Sequence, residues 1–89
     1  MPRVTFTGNL QRWIDAPAVD VAGATVREAL EAVFAGHPLL RGYILDDQGA
    51  VRRHVVVFIG GEPVQDRKNL SDAVAPGAVI SVLQALSGG

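Results

Sequence analysis

Thr25-Val26-Arg27-Glu28 opens the one stretch of this chain whose secondary structure is marked at both ends. The Thr25 hydroxyl is placed to accept from the Glu28 amide while the Glu28 carboxylate reaches back. That capping box satisfies donors which a helix start otherwise leaves open. Val26, Ala29, Leu30, Val33 and Phe34 then recur at helical spacing and form one apolar stripe. Gly36 suits the C-terminal cap, and Pro38 prevents continuation. The result is a helix of about three turns with one apolar face, which must be buried against another layer. The other patterned segments read mainly as strands, so that layer is a sheet.

Arg3-Val4-Thr5-Phe6-Thr7 alternates strictly, with Val4 and Phe6 on one face. Gly8-Asn9 breaks it, and a connection containing Leu10, Trp13 and Ile14 runs to Pro17. Trp13 is read as covering the edge of a small core rather than as a binding anchor. Ala18 to Ala22 alternates again and predicts a second strand, hairpin-paired to the first. After the helix, Leu39 to Leu45 reads as a loop that becomes a short strand at Tyr43, and Asp46-Asp47-Gln48-Gly49 is a turn. His54 to Ile59 is apolar on both faces and therefore reads as a central strand. Gly60-Gly61 turns the chain into a short continuation at Glu62-Pro63-Val64. Leu70 to Val74 allows one helical turn, and Pro76-Gly77 leads into a last strand, Ala78 to Leu83.

This order, β-β-α-β-β-β, is how a β-grasp (ubiquitin-like) domain is wired. The expected class is α+β, a mixed sheet of four to five strands with one main helix across one face. The first and last strands lie parallel at its centre. Residues 1–83 form the domain and residues 84–89 a flexible tail, Gln84-Ala85-Leu86-Ser87-Gly88-Gly89. Two glycines without Cβ atoms make the thinnest tail a polypeptide can have. An enzyme can draw such a tail along a narrow channel without side-chain collisions.

Eighty-nine residues supply one modest core and no second domain. The net charge of −1 gives no electrostatic reason to expect nucleic acid or an anionic membrane as partner. The chain has no cysteine, hence no disulfide framework, thiolate metal site or catalytic thiol. Met1-Pro2-Arg3-Val4-Thr5-Phe6 lacks the apolar segment of a signal peptide, and no run approaches the roughly 20 residues of a membrane span. These features together read as a soluble, cytoplasmic protein.

Nothing in the side chains argues for an enzyme. His37 and His54 lie outside any metal-ligand spacing, so no metal site is expected. Asp46 and Asp47 read as solvated turn residues, Ser71 and Ser87 have no evident base, and Gly60-Gly61 lacks the sequel of a phosphate-binding loop. The reactive group, if there is one, is the backbone carboxylate of Gly89.

With these segments in place, the whole chain resembles the MoaD/ThiS family of ubiquitin-like sulfur carrier proteins. The resemblance rests on Thr25-Val26-Arg27-Glu28-Ala29-Leu30, on Val55 to Gly61, and on Pro76 to Leu83 leading to Gly88-Gly89. The chain departs from many members at Gly60 (Asn there), near Ala78-Val79 (an acidic residue there) and at Gln84 (a proline there). The resemblance implies a protein co-substrate with no cofactor of its own. An E1-like adenylating enzyme, using ATP and Mg²⁺, would convert the Gly89 carboxylate to an acyl-adenylate. A sulfur donor, sulfide or an enzyme persulfide, would displace AMP to leave a thiocarboxylate. A downstream sulfur-accepting enzyme would then use that sulfur in cofactor, cysteine or related biosynthesis. The length and the insert between Asp46 and His54 favour the molybdopterin-synthase small subunit and the cysteine-forming carriers over the shorter thiamine carrier.

Gly88 and Gly89 are the expected reactive residues, with Leu86 and Ser87 as the approach. Val56, Phe58 and Leu83 are the expected partner patch, with Val55, Val57 and Ile59 on the other face. The sequence leaves open which set faces the helix, and whether both are core. Two other readings stand beside this one. A protein modifier would join Gly89 to lysines of other proteins, and a plain β-grasp interaction module would not use the glycines at all.

Overall fold

The computed structural model describes residues 1–6 and 18–84. Residues 85–89 of the expected tail, Thr7, and the connection containing Leu10, Trp13 and Ile14 lie outside these.

Strand β1 (Arg3–Phe6) buries Val4 and Phe6 and turns Arg3 and Thr5 to the other face, as its alternation requires. It pairs antiparallel with β2 (Ala18–Asp20), which sets Arg3 opposite Asp20 and Val4 opposite Val19. Helix α1 (Val26–Gly36) is capped by Thr25, whose hydroxyl accepts from the Glu28 amide at 3.2 Å. The reciprocal half of the box is displaced by one residue, because Glu28 Oε1 accepts from Ala24 N, at 2.8 Å. The five residues of the apolar stripe are all buried. Gly36 is the last helical residue and His37 the cap, donating its N–H to Phe34 O at 3.1 Å.

Leu39 to Leu45, read as a loop passing into a strand, instead forms a second helix, α2 (Pro38–Ile44). Pro38 stops α1 but stands at the start of α2, where a missing N–H costs nothing and the fixed φ suits the first turn. Leu40 and Ile44, one helical turn apart, are both fully buried. The 46–50 turn follows as expected, with Asp46 Oδ1 accepting from Gln48 N and Ala50 N.

Strand β3 (Val55–Ile59) begins one residue later than the pattern suggests, because Arg53 and His54 form a turn closed by Val55 N to Arg52 O at 3.0 Å. Gly60, with φ +63°, makes the turn to β4 (Glu62–Pro63). No helical turn forms at Leu70 to Val74. There the Asp66 carboxylate gathers the amides of Lys68, Asn69 and Ser71 and the Ser71 hydroxyl, and Asp72 takes those of Gln65 and Asp66. The groups a turn at 70–74 would pair are engaged elsewhere, since Val74 N donates to Ala24 O and Leu70 O accepts from Arg27 N. Leu70 adopts φ +54° and is fully buried, and Ala73 bridges back to Thr25. Strand β5 (Val79–Gln84) ends the described chain and includes Gln84, the residue assigned to the start of the tail.

The strands are ordered β2-β1-β5-β3-β4, with β1 parallel to β5 and the other pairs antiparallel. The first and last strands therefore lie side by side and β5 is central, the β-grasp arrangement. β3, expected at the centre, is one place removed. Its second apolar row faces away from the helix rather than into a second core layer. The core joins Val4, Phe6, Val55, Val57, Ile80 and Val82 of the sheet to Ala29, Leu30, Val33 and Phe34 of α1. Gly23 lets the chain pass close to α1, since a Cβ there would lie 2.8 Å from Ala29 N.

Candidate functional site

The approach to the glycine tail is built on β5. Ile80 and Val82 are wholly buried on the helix side, while Ser81 and Leu83 point to the opposite face and remain half-buried. The ladder to β1 holds β5 as far as Val82 and the ladder to β3 as far as Gln84, which stands opposite Val55. Leu86, Ser87, Gly88 and Gly89, four of the residues singled out in the sequence, lie outside the described residues.

The other three, Val56, Phe58 and Leu83, are brought together. Register places Val56 opposite Leu83, and Phe58 between Ser81 and Pro63. Val55 and Val57 take the core side with no exposure, so Val56 and Phe58 occupy the outer face, half-buried. Beyond this apolar group the outer face becomes polar. Thr5 Oγ1 donates to Ser81 Oγ at 3.2 Å across the β1–β5 pair, and Arg3 Nε meets Asp20 Oδ1 at 2.9 Å.

Several of the described polar groups are committed to structure. Ser71 donates its hydroxyl to Asp66 at 2.5 Å. The Asn69 amide and then the Ser71 hydroxyl hold the Asp66 carboxyl down at about 2. Hydrogen bonds from Arg41 lower the Glu31 carboxyl, and one from Arg3 lowers that of Asp20. His37 Nδ1 lies 3.3 Å from Val33 O at the junction of the helices, and His54 is exposed before β3. Among the described residues no three His, Cys, Asp or Glu side chains are grouped to hold a metal ion. Among them, too, no helix is long and apolar enough to cross a membrane.

One feature was missed in the sequence. Arg52-Arg53-His54 precedes Val55, which stands opposite Gln84, the last described residue of β5. Three consecutive basic residues were visible, but only the β3–β5 register sets them beside the end of β5.

Comparison with known proteins agrees with this architecture. The family model described as "ThiS family" matches residues 4–89. Small archaeal modifier protein 1 of Haloferax volcanii is 36% identical over 72 residues, covering 80% of this chain and 78% of that protein. The crystal structure of SAMP1 from Haloferax volcanii superposes with a TM-score of 0.80 at 30% identity, covering 99% of this chain and 98% of the other. The Amycolatopsis orientalis BexX/CysO complex contains a chain that matches with a TM-score of 0.87 at 23% identity, complete over both chains. That last likeness is one of fold. With a match over nearly its whole length and a β-grasp sheet to carry it, the chain belongs to the ThiS family of ubiquitin-like proteins.

Proposed function

We propose that this chain is a sulfur carrier protein whose C-terminal residue, Gly89, is the reacting group. The observation that carries the reading is the family match, which runs from residue 4 through Gly88-Gly89. The central position of β5, the strand leading to those glycines, supports it.

A carboxylate is a poor electrophile until one oxygen becomes a good leaving group. In the activating enzyme, with ATP and Mg²⁺, a Gly89 carboxylate oxygen attacks the α-phosphorus and pyrophosphate departs, leaving the acyl-adenylate. Hydrosulfide attacks the acyl carbon, the carbon–oxygen bond to AMP breaks, and the sulfur proton is lost to solvent. The product is a thiocarboxylate, whose sulfur a downstream enzyme takes up. The carrier supplies no catalytic side chain. It presents the tail and docks through the outer face at Val56, Phe58 and Leu83, where half-buried apolar groups lie beside the end of β5.

A second reading has its own support, in the name of the relative from Haloferax volcanii, a modifier protein. A protein modifier would use the same adenylate, but a lysine amine would attack it and form an isopeptide bond.

Intact mass after incubation with ATP, Mg²⁺, sulfide and extract of the host tests both. The expected result is a gain equal to replacing one oxygen by sulfur, absent when Gly89 is deleted. Recovery of the chain joined to lysines of other proteins would favour the modifier. An unchanged mass, in an extract that activates a known carrier, would overturn both.

A further inference from the structure

The arginines are not evenly compensated. Among the described residues, Arg3 pairs with Asp20, and both Arg27 and Arg41 pair with Glu31. Arg52, Arg53 and Arg67 have no carboxylate partner, and all three lie where β3 begins. Arg52 Nε donates to Gly42 O at 2.8 Å, and Arg67 Nη2 donates to Arg52 O at 2.8 Å and Val55 O at 2.7 Å. These acceptors are neutral carbonyls, so they position two guanidinium groups without cancelling their charge. Arg53 is exposed and has no side-chain partner. Asp47 and Asp66 adjoin Asp46 and Arg67 in the chain, and Asp46 itself lines a shallow pocket of about 310 Å³ with Val51, Arg52, Arg53 and His54. Its Oδ1 is already engaged by two backbone amides. The lining of that pocket carries two guanidinium groups against one carboxylate, in a chain of net charge −1.

This corner of the fold also adjoins the last described residue of β5, because Gln84 is paired with Val55. On the carrier reading above, the enzyme that takes up the tail must close around this end of the molecule. We infer that the turn Arg52-Arg53-His54, backed by Arg67, docks against an acidic rim around the tail-accepting channel of the activating enzyme. Charges at physiological salt act over about 8 Å, so a cluster of this size matters only to a surface brought up against it. That surface is the mouth which receives the tail. The small extent of the patch and the negative net charge favour an acidic protein over nucleic acid, which needs a broad basic surface. Charges at an interface rim govern association rate and its salt dependence more than the chemistry that follows.

The test is the initial rate of sulfur-for-oxygen exchange, followed by intact mass in host extract with ATP, Mg²⁺ and sulfide. It is measured against carrier concentration at low and high salt for the wild type, Arg53→Gln and Arg53→Glu. The half-saturating concentration is expected to rise about threefold for the neutral variant and about tenfold for the reversed one at low salt. Both are expected to converge on wild type at high salt with the maximal rate unchanged. Equal half-saturation in all three proteins, or a deficit that salt does not reduce, would overturn the inference and leave the carrier reading standing. A wild type that is never converted removes the carrier reading, and this inference with it. Since the Arg53 side chain touches no partner, both variants are expected to melt as wild type does. The neutral variant provides the measurement should the reversed one fail to fold.

Discussion

Val55 and Gln84 face each other on the last rung of the β3–β5 ladder. Gln84 is also the first residue assigned from sequence to the tail, so the sheet holds the chain up to the edge of the segment that is to react. The tail and the folded domain can therefore be tested separately.

Deleting Gly88 and Gly89 is expected to leave unfolding free energy within about 0.5 kcal/mol of wild type. The same deletion is expected to abolish the sulfur-for-oxygen mass gain. Urea unfolding and intact mass on one preparation check both halves. A large loss of stability would mean that the glycines are part of the fold.

The two faces of the sheet predict opposite phenotypes. Ile80→Ala empties a fully buried position and is expected to cost about 2–5 kcal/mol. Phe58→Ser changes the half-buried outer face and is expected to cost about 1 kcal/mol. If that face docks the activating enzyme, Phe58→Ser raises the half-saturating carrier concentration, whereas folded Ile80→Ala does not.

Arg27 ties two segments to α1. Its Nη2 donates to Gly49 O at 2.6 Å and Lys68 O at 3.3 Å, its Nε to Asn69 O at 3.1 Å, and its Nη1 meets Glu31 at 3.4 Å. Arg27→Ala leaves those carbonyls without their donor and is expected to cost about 2–3 kcal/mol in urea unfolding. Arg27→Lys is expected to recover only part of this, because an ammonium cannot span the same fork.

Asp66 sets an acid limit on stability. Its folded pKa, about 2, lies below the ordinary 3.8. The ionised carboxylate thus favours the folded state in full above about pH 4, and this contribution is lost as pH falls to about 2. Wild-type unfolding midpoints are expected to drop across that window, and those of Asp66→Asn to start lower and drop less. Equal slopes in the two proteins would remove the claim.

The best-marked parts of the fold were legible because their signals are local. Thr25 and Glu28 fix the start of α1, and the Val4/Phe6 alternation assigns a strand without tertiary knowledge. The glycine turn before β4 is equally local. Pro38 was read only as the end of one helix, though proline serves as well at the start of the next. Whether Leu40 and Ile44 are helical is decided by the core that buries them. Leu70 to Val74 misled for a related reason. A helical turn there would bond Val74 N to Leu70 O, but Val74 N donates to Ala24 O and Leu70 O accepts from Arg27 N. For the candidate site, residue types were visible but their neighbours were not. Val56, Phe58 and Leu83 could be named from sequence, but that they face outward, like the setting of Arg52-Arg53-His54, required the packed sheet.

The central place of β5 has a mechanical consequence. A pull on the chain beyond Gln84 runs along the strand axis, with β1 on one side and β3 on the other. Both ladders are then loaded in shear, so several hydrogen bonds must yield together. At an edge strand loaded crosswise they would open one at a time. An enzyme can draw on this tail without unravelling the domain that delivers it.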